Sequence, residues 1–99
     1  MTSCVLTIGN PLGLHARAAA RFVQSASGFS ARIKVGRDGQ QTDGKSIMGL
    51  LLLSASQGTV ITIVADGPDE AAAIEALRDL VERGFEGAPF DGAQDGPCV

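Results

Sequence analysis

The chain has 99 residues, of which 44% are hydrophobic and 19% charged, and a formal net charge of −3. This composition fits an ordinary globular domain and excludes a mainly disordered chain. The longest apolar run, Ile47–Leu53, contains Gly49 and is far short of the ~18 residues a membrane span needs, so no membrane insertion is expected. An acidic balance, with no Trp or Tyr, argues against nucleic-acid binding, which needs a basic footprint and stacking platforms.

A domain of this size buries only roughly 60–65% of its extended-chain surface. Chemistry is therefore expected on an exposed face or shared with a partner. Met1-Thr2-Ser3-Cys4 has neither a basic nor an apolar leader region. The expectation is a cytoplasmic protein whose two cysteines, Cys4 and Cys98, are reduced thiols. Two cysteines and one histidine are too few for a zinc site, and no metal or cofactor is implied. The charge is uneven. Residues 1–37 hold Arg17, Arg21, Arg32, Lys34 and Arg37 and no acid, and all 11 acids lie from Asp38 onward. Either the N-terminal third faces an anion or an acidic partner, or the bias is an accident of surface composition.

In chain order, residues 3–8 alternate loosely and predict a strand, broken by Gly9-Asn10-Pro11-Leu12-Gly13. Ala19, Phe22, Val23 and Ala26 share one helical face, which predicts a helix over 16–27 with Gly28 as its C-cap. Residues 31–36 alternate as a half-buried strand, Asp38-Gly39 is a hairpin signal, and 40–43 form the return strand. Ser46 is placed to cap a short helix over Ile47–Leu53, ended by Gln57-Gly58. Residues 59–65 are rich in β-branched side chains and predict a strand.

Asp66-Gly67-Pro68-Asp69 opens a last helix, with Asp69 and Glu70 in the turn where the dipole favours acids. Its stripe is Ala73, Ile74, Leu77, Leu80 and Val81, and Gly84 closes it. Residues 86–99, rich in Gly and Pro, read as a flexible tail outside a domain of residues 1–85. The order β-α-β-β-α-β-α predicts one sheet with helices on one face, a two-layer α+β domain.

His15, the single histidine, falls between the Gly-rich turn and the first helix in Gly13-Leu14-His15-Ala16-Arg17. The first backbone N–H groups of a helix lack intrahelical partners and favour an anion. They disfavour a protonated imidazole, so a neutral, nucleophilic ring is expected. The Arg17 guanidinium is suited to chelating a phosphoryl group. These features suit a phosphohistidine, although a surface cap would show the same local pattern.

Residues 39–46, Gly39-Gln40-Gln41-Thr42-Asp43-Gly44-Lys45-Ser46, fit the phosphate-binding loop pattern, and Ile61-Thr62-Ile63-Val64-Ala65-Asp66 resembles the accompanying strand-plus-Asp. That reading fails, because it needs a parallel sheet and a long following helix, and the loop's first half reads as a hairpin. Ser46 has another use, since a phosphate there would set negative charge beside Ile47 and Met48. Ile47, Met48, Leu50, Leu51, Leu52 and Leu53 are too many apolar residues for one buried helix face. Either some form a docking patch, or a small core needs them all.

Gly13-Leu14-His15-Ala16-Arg17, continued by Ala19-Ala20-Arg21-Phe22-Val23, resembles the active-site signature of the HPr family. These are phosphocarrier proteins of the bacterial phosphoenolpyruvate-dependent phosphotransferase system. Lys45-Ser46-Ile47-Met48-Gly49-Leu50 resembles the family's second signature, and the likeness runs to about residue 86. The resemblance implies an open-faced sandwich with a four-stranded antiparallel sheet, strand order 1-4-2-3, and three helices on one face. It implies that His15 accepts a phosphoryl group on Nδ1 from Enzyme I and passes it to a downstream acceptor protein. Arg17 would steady the group, and Ser46 would be the target of an HPr kinase/phosphorylase.

The implied docking face is Ala16, Ala20, Ile47, Met48, Leu51 and Leu52. The protein would be a monomeric carrier, with catalysis supplied by its partner enzymes. Ala18 stands where sugar-system members usually carry Pro, as in the nitrogen-related branch, so the acceptor belongs to either a sugar or a nitrogen-related system. The tail is longer than is usual in the family. The alternative is a small regulatory protein-binding module in which His15 is not phosphorylated.

Overall fold

The computed structural model describes residues 1–85. The predicted tail, residues 86–99, lies outside the described residues. The elements are β1 (Thr2–Thr7), α1 (Ala16–Ala26), β2 (Arg32–Arg37), β3 (Gln40–Asp43), α2 (Ile47–Leu53), β4 (Val60–Asp66) and α3 (Glu70–Glu82). The four strands form one antiparallel sheet in the order β1-β4-β2-β3. The predicted element order and fold class hold.

Period-two patterning explains which strands lie in the middle. On β4, Ile61, Ile63 and Ala65 are buried; on β2, Ile33 and Val35 are buried. Cross-strand pairing puts Ile63 opposite both Cys4 and Val35, so these side chains share the face the helices cover. The opposite face is open to solvent, and Val5 and Val60 are exposed on it. α3 lies over β1 and β4, α2 beside β2 and β3, and α1 contacts both other helices. The core joins Phe22, Ile33, Ile61, Ile63, Leu50 and Leu77.

The hairpin between β2 and β3 turns at Asp38 (φ 47°) and Gly39 (φ 82°). Positive φ at both turn residues matches the natural twist of the flanking strands. Helix ends differ in detail from the sequence expectation. α1 stops at Ala26 with Ser27 as a right-handed C-cap, so Gly28 is not a left-handed cap. α2 spans Ile47–Leu53 as expected, but it is stopped by Ser54, which turns left-handed at φ 54°, and not by Gln57-Gly58. Arg37 Nη1 donates to the carbonyls of Leu53 (3.3 Å) and Ser54 (2.9 Å), satisfying acceptors that the helix end leaves open.

α3 closes as predicted at Gly84 (φ 70°), with Gly84 N–H donating to Val81 O and Phe85 N–H to Leu80 O. Asp69 does not act through the helix dipole alone. Its two carboxylate oxygens accept from the backbone N–H groups of Ser30 and Ala31, each at 2.8 Å, fastening the α1–β2 loop to the start of α3. Among the described residues, no helix is long and apolar enough to cross a membrane.

Candidate functional site

The segment from Gly9 to His15 is held by its own turn and by the α2–β4 link. Leu14 N–H donates to Ala55 O at 2.8 Å, Asn10 Nδ2 donates to Gly13 O at 2.9 Å, and Gln57 Nε2 donates to Gly9 O at 3.1 Å. Gly13 has φ 66°, and a Cβ on it would stand 2.5 Å from Ala55 O. A side chain does not fit there, so the glycine is what lets the loop lie against the α2–β4 link. Leu14 is buried and anchors the loop from below.

His15 emerges from this base as the N-cap of α1, with extended backbone (φ −82°, ψ −178°). Its carbonyl accepts from Ala19 N–H at 2.8 Å and closes the first turn. Its imidazole makes no capping hydrogen bond, and the first turn contains no acid. The ring is half-buried, and Arg17 is exposed two residues further on. The result is a helix start whose amide donors and dipole remain available to an anion, with a histidine ring and a guanidinium beside it.

Ser46 is the N-cap of α2. Its Oγ accepts from Gly49 N–H at 3.1 Å. Gly49 also lies close to β3: a Cβ on it would come 2.0 Å from Thr42 Oγ1, so a side chain there would force a shift. The close approach of α2 to β3 turns the following residues in opposite directions. Leu50 and Leu53 are buried, whereas Ile47, Met48 and Leu52 are exposed, the last two at 68% and 75%, and Leu51 is half-buried. Ala16 and Ala20 are exposed on α1. Ala18 is fully buried, so its methyl does not reach the surface.

Two features of the site were not read from the sequence. Leu12 is 75% exposed in the loop ahead of His15 and adds apolar surface there. Phe85 is only 2% exposed, and its carbonyl accepts from Arg21 Nη1 at 2.8 Å. The exposed Pro11-Leu12-Gly13 turn could have flagged the first; no local signal marks the second.

Residues 39–46 are the β2–β3 turn, β3 and the link into α2. Lys45 Nζ donates to Phe29 O at 2.8 Å. The segment follows an antiparallel strand and its lysine is committed to the backbone, so it is not a phosphate-binding loop.

Fold and site together define a small α+β protein that presents its histidine at an uncapped helix start beside an apolar patch. The family model described as the PTS HPr component phosphorylation site matches residues 2–83. The phosphocarrier protein HPr of Cupriavidus necator is 48% identical over 79 residues, covering 80% of this chain and 89% of that protein. A crystal structure of an HPr from Thermoanaerobacter tengcongensis superposes with a TM-score of 0.85 at 48% identity, covering 88% of this chain and 98% of that one. A second structure from that organism, described as an HPr dimer, superposes at 0.70 with the same identity, covering 88% of this chain and 100% of that one. The chain belongs to the HPr family, the phosphocarrier proteins of the phosphotransferase system.

Proposed function

We propose that His15 receives a phosphoryl group from phospho-Enzyme I and delivers it to an acceptor protein of a sugar or nitrogen-related phosphotransferase system. The observation that carries this reading is the helix start itself, an N-cap imidazole with no capping bond above amide donors that have no acid to satisfy them. The lone pair of His15 Nδ1 attacks phosphorus while the bond from phosphorus to Enzyme I breaks with its electron pair. The acceptor later takes the group from His15 in the same way. The amide donors and the Arg17 guanidinium meet the phosphoryl oxygens, and their charge and hydrogen bonding favour the anion without enclosing it. An open site lets the next protein reach the group.

Ala16, Ala20, Ile47, Met48, Leu51 and Leu52 form the docking face, with Leu12 extending it. A phosphate on Ser46 from an HPr kinase/phosphorylase would add about two negative charges to its edge and repel an acidic partner. The carrier works as a monomer in the cytoplasm, and its turnover comes from its partners.

The test is intact mass after incubation with Enzyme I from the same organism, phosphoenolpyruvate and magnesium. The expected result is an acid-labile gain of one phosphoryl group in the wild type and none in His15→Ala. No gain on folded wild-type protein would sink the carrier reading and leave a docking module in which His15 is a cap.

A further inference from the structure

A single peptide group, the one between Gly13 and Leu14, sets the approach of the chain to His15. Its carbonyl accepts from His15 N–H at 3.0 Å and from Asn10 Nδ2 at 2.9 Å, and its amide, Leu14 N–H, donates to Ala55 O at 2.8 Å. Asn10 O in turn accepts from Gly13 N–H at 3.1 Å, so Asn10 grips Gly13 through both backbone and side chain. Gly13 has φ 66°, and a glycine can turn its peptide over at little steric cost. Something must therefore hold that peptide, and on its carbonyl side the donor from outside residues 13–15 is the Asn10 amide. The other end of that side chain gains nothing. Asn10 Oδ1 is buried with no hydrogen-bond partner among the described residues, which native structures usually avoid. The end of α3 backs the residue, since a Cβ on Gly84 would stand 3.4 Å from Asn10 Cβ.

We infer, resting on the carrier reading above, that Asn10 is a positioning residue for phosphoryl transfer at His15. Its side-chain amide fixes the Gly13–Leu14 peptide and, through it, the backbone from which the imidazole leaves the helix start. With Gly13 O held in place, His15 N–H is committed to it and His15 keeps its extended N-cap backbone. That backbone limits the rotamers open to the ring, so the ring and the amide donors of α1 keep one mutual geometry. Without the Asn10 donor the peptide samples a second orientation, His15 N–H loses its acceptor, and the ring spends less time aligned for transfer. Folding stability is affected less, because removing the side chain deletes a hydrogen bond and an unpaired buried oxygen together, and these oppose each other. The loss therefore falls on the reacting geometry.

The test compares the full wild-type chain with Asn10→Ala and Asn10→Asp, the second of which keeps the side-chain shape and lacks the donor. In phosphorylation by Enzyme I and phosphoenolpyruvate, kcat is expected to fall about tenfold in both variants, because small misplacements of a reacting group are costly. KM is expected to stay within about twofold of wild type, as for an interaction that matters only in the transition state. Amide hydrogen exchange by NMR, which needs no phosphorylation, is expected to show lost protection at His15 N–H with the amides of β4 still protected. Should Asn10→Asp fail to fold with its carboxylate buried, Asn10→Ala decides alone. A raised KM with kcat unchanged would overturn the inference and make Asn10 a docking residue. Protection lost across the whole sheet would overturn it in favour of a purely structural role. Wild-type kcat, or a lowered kcat with His15 N–H still protected, would overturn it as well. A wild-type chain that accepts no phosphoryl group would fail the carrier reading, whereas normal phosphorylation of both variants would fail the role of Asn10 alone.

Discussion

Glu70 shows how one carboxylate can tie the start of a chain to a distant helix. Its Oε2 accepts from Thr2 Oγ1 at 2.5 Å and pairs with the Met1 amine at 2.7 Å, while Oε1 accepts from Gly67 N–H at 3.1 Å. The bond from the amine, then those from Thr2 and Gly67, lower its pKa from the ordinary 4.5 to about 2. Asp69 is also lowered, first by the Ser30 N–H and with help from that of Ala31. A folded pKa below the unfolded one means that the stabilisation is full above the unfolded value and fades as pH falls from about 4.5 towards about 2. The Met1 amine is raised above 8.0, so its share fades as pH rises beyond that value. Thermal midpoints taken from pH 6 to pH 2 should fall over this acid window, and Glu70→Gln should flatten part of the fall. An identical slope in the variant would show that the pair contributes nothing.

The short helix α2 carries a contrast between leucines two positions apart. Leu50 is fully buried and Leu52 is 75% exposed, because Gly49 lets the helix backbone press against Thr42 and fixes its rotation. Leu50→Ala should cost about 2–5 kcal/mol in urea unfolding through lost burial and a residual cavity. Leu52→Ala should stay within about 0.5 kcal/mol while raising KM for phosphorylation by Enzyme I. Equal stability losses in the two variants would mean that α2 is rotated differently. Sequence alone predicted the helix and its Ser46 cap, but with six apolar side chains in seven residues it had no period from which to choose the buried pair. On α1 the period was clear and the buried face largely followed it. Ala18 was missed there, because a small residue beside arginines carries little signal.

At the scale of the whole molecule, closure depends on Phe85. It follows the left-handed Gly84 and turns back into the core, and Arg21 holds its carbonyl on α1. It joins the end of the described chain to the helix that bears His15. Phe85→Ala should destabilise the protein by about 3–5 kcal/mol, measured by urea unfolding; a loss below about 1 kcal/mol would mean that the residue is peripheral. The sequence pattern did not reveal this role. Phe85 lies beyond a helix stop and next to a Gly- and Pro-rich stretch, where local rules predict exposure.

Local patterning by itself determined the seven elements and their order, the hairpin at Asp38-Gly39, the helix stop at Gly84, and the placement of His15 and Ser46 at helix starts. Such features follow from periodicity, turn chemistry and capping, which act over a few residues. Tertiary structure decided the rest. It set which α2 leucines face out, turned Asp69 and Glu70 into cross-chain fasteners, committed Lys45 to Phe29 O, and brought the end of α3 against the loop before His15. These outcomes depend on contacts between different elements, from Thr42 on β3 against Gly49 on α2 to Thr2 against Glu70, 68 positions away, and they are settled only when the sheet order brings those elements together over one core.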